Sequence, residues 1–420
     1  MWHAVKPRMS PRSMLLVSGM LFIGAGQVAA QEALRSNLNA AQAASQTRSE
    51  IESAAYTARW GDLRLLISPS VAFEWSDNIR LQETHPEADF LLTPRVNFHA
   101  LHPVGEANAL SFDVGVGYSK YLEHDELDQL IVSPGSALSF DVFVKSVRLN
   151  FHDRFTYQLD PVLSGAVSGT GRQGGINNAA GVTGTWVLEK ASVTLGYDYV
   201  KFLSSDAQFE YLDRSTHQML ARFGVQVHPA LTLGVEGTDS PTTYDRSFLN
   251  DNTGYSAGAY AEWQASEQLS IAPRAGYSLY TFTPNASLGA PADYGAYYFG
   301  LQLDHKLNES VTYNLAVDRQ IQPGVSANLS DLWTARAAVQ WAVIRHLPLS
   351  TEISYEHGKE VARGLLLDRY DRFGGRIGVQ WHPMEKATLG LSYQLYLKDS
   401  ELPGRDYLQN RVTLTVGYQL

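Results

Sequence analysis

The chain has 420 residues, 18% of them charged, with 34 Gly, 22 Tyr and no Cys. Lys and Arg number 33 against 43 Asp and Glu, a formal charge of −10, which argues against a nucleic-acid partner. The lack of Cys excludes disulfide scaffolds, thiolate metal sites and Cys nucleophiles. After residue 30 no stretch approaches the ~20 apolar residues of a membrane helix.

Residues 1–30 read as a signal peptide. Lys6, Arg8 and Arg12 precede an apolar run from Met14 to Gly24, and Val28-Ala29-Ala30 supplies the small residues of a cleavage site, predicting a mature start at Gln31. The mature chain then carries 30 Lys and Arg against 43 Asp and Glu, formally −13. Residues 31–59, rich in Ala, Gln and Ser, have too little apolar surface to fold alone and read as a periplasmic spacer, helical or disordered.

From Trp60 onward the period is two. Leu110, Phe112, Val114, Val116 and Tyr118 alternate with Ser111, Asp113, Gly115, Gly117 and Ser119. Leu389 to Lys398 and Val412 to Leu420 repeat the pattern. Such alternation puts apolar side chains on one sheet face and polar ones on the other. The runs, about 10–14 residues, are twice the usual globular strand and fit a tilted bilayer crossing.

The connections come in two kinds. Short turns are expected at 101–106, near Asp141, and at 188–191, 227–230, 265–268, 304–310, 344–347 and 381–386. Longer polar loops fall near 76–89, 122–127, 158–175, 203–213, 239–252, 283–293, 321–330, 359–369 and 398–406. His-Pro recurs at three of the short turns, 102–103, 228–229 and 382–383, spaced for hairpins of about 40 residues. Eight turns and nine loops make an all-β, antiparallel up-and-down transmembrane barrel of about eighteen strands over 60–420. Both chain ends then lie on the short-turn, periplasmic side. Sixteen strands is the alternative, because 159–186 is Gly-rich and weakly patterned. In lipid every strand N–H and C=O needs another strand, so the sheet must close. Trp75, Tyr118, Tyr121, Tyr157, Trp263, Tyr277, Trp333, Trp341, Tyr355, Trp381 and Tyr418, mostly near run ends, are candidates for the interfacial aromatic girdles. Outer-membrane lipid, lipopolysaccharide and the barrel-assembly machinery are the partners such a barrel implies.

Pro69 to Ile79, containing Phe73-Glu74-Trp75-Ser76-Asp77-Asn78-Ile79, is followed after a polar loop by Asp89-Phe90-Leu91-Leu92-Thr93-Pro94. With the turn at Trp381-His382-Pro383 and the strand from Leu389 to Tyr393, this resembles the BBP2-like outer-membrane β-barrel porin family of Gram-negative bacteria. The resemblance covers roughly 60–420, with its sharpest motifs at the start. It implies an outer-membrane location and a conduit for secreted polysaccharide, with polysaccharide and periplasmic export components as partners. The family offers no catalytic or ligand residues to carry over. The chain ends in Leu420, where the assembly signal of such barrels usually has Phe.

The polar parity, taken as the inner face, predicts a lumen lined by Arg95, His99, Asp113, Arg148, His152, Arg154, Asp198, Arg222, Glu236, Glu262, Arg274, Asp318, Arg336, Glu352 and Arg376. Such charges either line a water-filled channel or pair across strands and fill it. Tyr260, Tyr280, Tyr298 and Tyr396 share this parity and are either sugar platforms or wall packing. The loop from Leu159 to Asn178, with Arg172 at its tip, is the candidate constriction if it turns inward. Acidic residues Glu123, Asp125, Glu126 and Asp128 read as a solvated loop, with divalent-cation bridging to lipopolysaccharide as the alternative. No catalytic motif occurs among the scattered His, so neither enzymatic activity nor a cofactor is expected. The function expected is a porin-like channel, for polysaccharide or alternatively for small solutes; a non-conducting structural or adhesive barrel is the rival.

Overall fold

The computed structural model describes residues 56–105, 107–284, 292–344, 347–362 and 365–420. The signal peptide expected over 1–30, and the spacer over 31–59 up to residue 55, lie outside the described residues. The first strands are β1 (Ala58–Trp60), β2 (Leu63–Ser76), β3 (Asp89–Val104), β4 (Asn108–Tyr121), β5 (Gln129–Val132) and β6 (Ala137–Val144). Then come β7 (Val147–Gln158), β8 (Gly175–Val187), β9 (Ala191–Ser204), β10 (Arg214–His228) and β11 (Leu231–Tyr244). They are followed by β12 (Asn252–Gln264), β13 (Leu269–Phe282), β14 (Tyr294–Lys306) and β15 (Val311–Pro323). The last are β16 (Leu329–Ile344), β17 (Leu347–Ala362), β18 (Leu365–Met384), β19 (Ala387–Ser400) and β20 (Tyr407–Tyr418).

Every pairing between consecutive strands is antiparallel, and β20 pairs with β2, Ser70 opposite Gly417 through Ser76 opposite Arg411, which closes the barrel. β5 and β6 both pair with β4 and with β7, so they form one stave. Its break at 133–136 is a bulge whose backbone is still paired: Ser133 N donates to Gly115 O and Phe155 N to Ser136 O. Eighteen staves result. β8 begins at Gly175 and pairs along its whole length, which removes the sixteen-strand alternative.

The burial is inverted relative to a water-soluble sheet. On β20 the apolar Leu414, Val416 and Tyr418 are 47%, 49% and 46% exposed, whereas Gln409 on the polar parity is 0% exposed. On β4, Phe112 and Tyr118 are exposed while Ser111 and Ser119 are buried. An apolar outer surface around a closed wall is what lipid stabilises and water does not. No described helix is long and apolar enough to cross a membrane; the crossing is made by strands, and the protein is an outer-membrane barrel. Thr57 Oγ1 donates to Leu420 O at 2.8 Å, so the described N-terminal residues and the C-terminus meet at the short-turn rim. There β1 folds back on β2, Ala58 opposite Leu65, and covers part of the edge that lies below the β20 register.

Three expectations are corrected. Asp141 lies inside β6, and the tight turn comes at Lys145-Ser146, where Lys145 takes the positive φ of 55° that a two-residue turn needs. Residues 359–369 are largely wall: Glu360 lies opposite Asp368 and Val361 opposite Leu366. Charged residues can continue a strand there because partners inside the mouth satisfy them. Tyr121 is turned inward, buried with Ile79, Leu91 and Leu127, and is not part of a girdle. Tyr118, Trp263, Tyr277, Trp333, Trp341, Tyr355, Trp381 and Tyr418 are exposed on the outer face.

Candidate functional site

The loop between β7 and β8 folds across the bore. Its entry is fixed by Asp160, which caps a single turn at Pro161–Leu163 by accepting from Val162 N, while Leu159 N donates to Gln129 Oε1. From there the chain reaches side chains of β18, β19 and β20, more than 200 residues away in sequence. Arg411 forks onto Asp160, Nη1 to Oδ2 at 2.9 Å and Nη2 to Oδ1 at 3.1 Å. Arg372 Nη1 donates to Val162 O at 2.6 Å. Lys398 Nζ donates to Ser168 Oγ at 2.9 Å, and that hydroxyl donates to Arg405 O at 2.7 Å. Val162 also packs with Leu81 and Tyr407. A Cβ on Gly165 would lie 1.9 Å from Glu356 Oε1; only glycine lets the loop backbone come this close to the wall.

The wall beneath the loop is charged on both signs. Arg372 Nη2 donates to Glu356 Oε2 at 2.6 Å, and Tyr370 OH to Glu356 Oε1 at 2.8 Å. Arg405 meets Asp368 at 2.9 Å, and Arg411 Nε lies 3.7 Å from Glu74. Lys398, 1% exposed, sits 4.8 Å from the centroid of the Tyr370 ring. Charges taken this far out of water persist only when paired and hydrogen-bonded, and here the loop supplies part of the pairing.

A second loop, between β15 and β16, turns in beside it. Val325 N and Ser326 N donate to the buried Glu360 Oε2, and Tyr211 OH donates to Val325 O. Burial, with the carboxylate of Glu360 nearby, pushes the Tyr211 phenol above its ordinary pKa. Both loops therefore make hydrogen bonds to side chains of the inner wall.

The expected lumenal residues fall into separate groups. His99 Nδ1 is 2.5 Å from Asp113. Asp141 accepts from Arg148 and Asn150 at 3.0 Å each. Asp198 takes His152 Nε2 at 2.6 Å and Arg154 at 3.4 Å. Arg222 lies between Glu236 and Glu262, stacked over the Tyr260 ring at 3.7 Å. Arg274 meets Asp318, and Arg336 meets Glu352. Arg376 lies opposite Glu352 and Gln394, and with them and Tyr396 borders a small recess in the wall. Arg95 has no ion pair or hydrogen bond among the described residues, and its Nε is buried. Arg172 is tied outward, Nη1 to Glu126 O at 2.8 Å, while Arg80 joins Glu87 and Glu126; the inward contacts of the loop are made by 160–168.

The tyrosines lie flat on the wall. Tyr260 is opposite Gly234, Tyr280 opposite Gly254, Tyr298 opposite Gly276, Tyr370 opposite Gly358 and Tyr396 opposite Gly374. A Cβ on Gly276 would approach the Tyr298 ring to 2.6 Å. Missed by the sequence reading were Arg411, Lys398, Asp160, Tyr370 and Glu360. Arg411 continues the polar parity of Thr413, Thr415 and Gly417 and was within reach of that pattern. The loop partner Asp160 carried no periodic signal.

No protein-family description matches the chain, and no curated protein matches it, so neither comparison supports the BBP2-like grouping or its polysaccharide role. Among solved structures the chain is similar to OpdL of Pseudomonas aeruginosa, at 13% identity over 86% of this chain and 100% of that one, with a TM-score of 0.46. It is similar to OccK1 (OpdK) of the same organism at 10% identity over 85% and 99%, with a TM-score of 0.49. The likeness to OccAB3 of Acinetobacter baumannii is 11% identity over 85% and 99%, with a TM-score of 0.48. At these identities and TM-scores the likeness concerns the fold alone.

Proposed function

We propose that the chain is a constricted outer-membrane channel for small hydrophilic solutes. The observation that carries this reading is the β7–β8 loop held across the bore by Asp160, Val162 and Ser168 on Arg411, Arg372 and Lys398. A polar inner face gives a solute hydrogen-bonding partners along its path, and an infolded charged loop sets which solutes pass. The same loop weighs against the polymer conduit suggested by the resemblance, because a polysaccharide chain needs a bore free of such a crossing.

Planar-bilayer recording of the refolded protein tests the reading. Discrete conductance steps are expected, and replacing 161–168 by a short Gly-Ser link raises the single-channel conductance roughly twofold or more. Absence of steps at any voltage in both proteins overturns it. Loss of surface polysaccharide on gene deletion, with small-solute uptake unchanged, would replace it by the export role.

A further inference from the structure

Around the bore, arginine and carboxylate go together: Arg148 with Asp141, Arg222 with Glu236, Arg274 with Asp318, Arg336 with Glu352, Arg372 with Glu356 and Arg411 with Asp160. Arg95 has no such partner among the described residues. It lies within β3, opposite Ser70 of β2 and opposite Gly117 of β4. Thr93 and Asn97 flank it on the same face, and the Thr93 hydroxyl is 2.9 Å from that of Ser119. These cross-strand and same-face neighbours are all neutral. Its stem lies against the wall: a Cβ on Gly117 would be 3.4 Å from Arg95 Cβ and 3.5 Å from Cγ. Its Nε is buried without a partner.

The position along the wall is as telling as the lack of a partner. Glu74, which joins Arg411 under the infolded loop, lies opposite Leu91 of β3. Arg95 is four residues further toward the periplasmic rim, ~13 Å along the strand. The unpaired guanidinium thus lies on the periplasmic side of the Glu74–Arg411 contact beneath the loop.

We propose that Arg95 is an anion station in the bore that takes small oxyanions, carboxylate or inorganic phosphate, and gives the channel a preference for anions. The guanidinium fork matches two oxygens of either group. The surrounding hydroxyls of Ser70, Thr93 and Ser119 and the Asn97 amide can serve the remaining ones without adding charge. A partly buried cation left without a carboxylate draws its counter-charge from the solution. This inference rests on the channel reading.

The test uses the full mature protein in a planar bilayer under a KCl gradient. The wild-type reversal potential should lie on the chloride side. Arg95→Gln should lower the anion-to-cation permeability ratio by about twofold or more, and Arg95→Lys should keep most of it. Inorganic phosphate should reduce the wild-type KCl current and leave the Arg95→Gln current unchanged, with acetate competing if both oxyanions share the station. An unchanged ratio with unchanged phosphate block in Arg95→Gln overturns the inference while the channel reading stands. A wild-type protein that does not conduct overturns the channel reading. Titration of inorganic phosphate against the detergent-folded barrel, followed by phosphorus line broadening, then decides the station alone: equal broadening by wild type and Arg95→Gln rejects it.

Discussion

The wall from β10 to β15 and the wall from β18 through β20 to β2 meet the same requirement in different ways. Both present polar side chains to the bore, and both lay tyrosines on cross-strand glycines, Tyr260 on Gly234 and Tyr298 on Gly276 in the first, Tyr370 on Gly358 and Tyr396 on Gly374 in the second. In the first wall the charges are settled from within: Arg222 by Glu236, Arg274 by Asp318, and Glu236 also by Tyr298 OH at 3.2 Å. In the second, Arg411 takes its bidentate partner from the loop, and Arg372 and Lys398 each donate to the loop as well. One sector is complete as a sheet; the other is complete only with a distant segment in place. That division makes the charge pairing of one sector depend on the docked loop and that of the other independent of it.

The largest test of this contrast is Arg411→Ala, which leaves Asp160 and Glu74 without their cation. Removing one member of a buried pair costs about 3 kcal/mol, but here the loss should appear locally. Expected are protease cleavage within 159–174 and noisier open-channel current, with the heat-induced gel-mobility transition of the barrel shifted little. If Arg274→Ala loosens the loop as much as Arg411→Ala does, the two sectors are not distinct.

A smaller effect probes the wall itself. Gly276→Val drives a side chain into the Tyr298 ring and should cost about 1–3 kcal/mol, read as a lower transition temperature of the folded band. At Gly375, where an added Cβ meets nothing within 4 Å, Gly375→Val should stay within about 0.5 kcal/mol. Equal losses at the two sites would remove the tyrosine–glycine contact as the cause.

The smallest concerns the rim, where Asp128 accepts from Lys120 Nζ at 2.6 Å and from Tyr121 N at 2.8 Å. Burial opposes its ionisation, but the hydrogen bonds from Lys120, Tyr121 N and Tyr118 outweigh it and hold the carboxyl below its ordinary pKa. A depressed pKa stabilises the folded loop above the unfolded value of about 3.9 and loses that contribution as pH falls through the folded one. Exchange of the Tyr121 amide should therefore quicken in acid relative to a neighbouring strand amide, and Asp128→Asn should flatten that dependence. An identical pH profile in the variant would assign the effect elsewhere.

How much of this was legible in the chain depends on distance along it. The alternation of Leu391, Tyr393 and Leu397 with Ser392, Gln394 and Lys398 separated outside from inside, because adjacent strand residues point to opposite faces. Inner-face arginines such as Arg222 and Arg274 followed from the same rule. The partners of Arg411 did not: Asp160 is separated from it by 251 positions and sits in a segment with no period. The tyrosine–glycine contacts were likewise hidden, since Gly276 and Tyr298 stand on different strands and meet only in one register.

The sequence by itself determined the two faces of most strands, and that short turns lie at one rim with long loops at the other. Those features are encoded between residues one or two apart, or in the composition of a single connection. Closure of β2 on β20, the bulge that joins β5 and β6 into one stave, the docking of the β7–β8 loop and the isolation of Arg95 were decided by the tertiary structure. The reason is that each depends on which strands become neighbours and in what register, and a closed wall sets those relations for all its strands together.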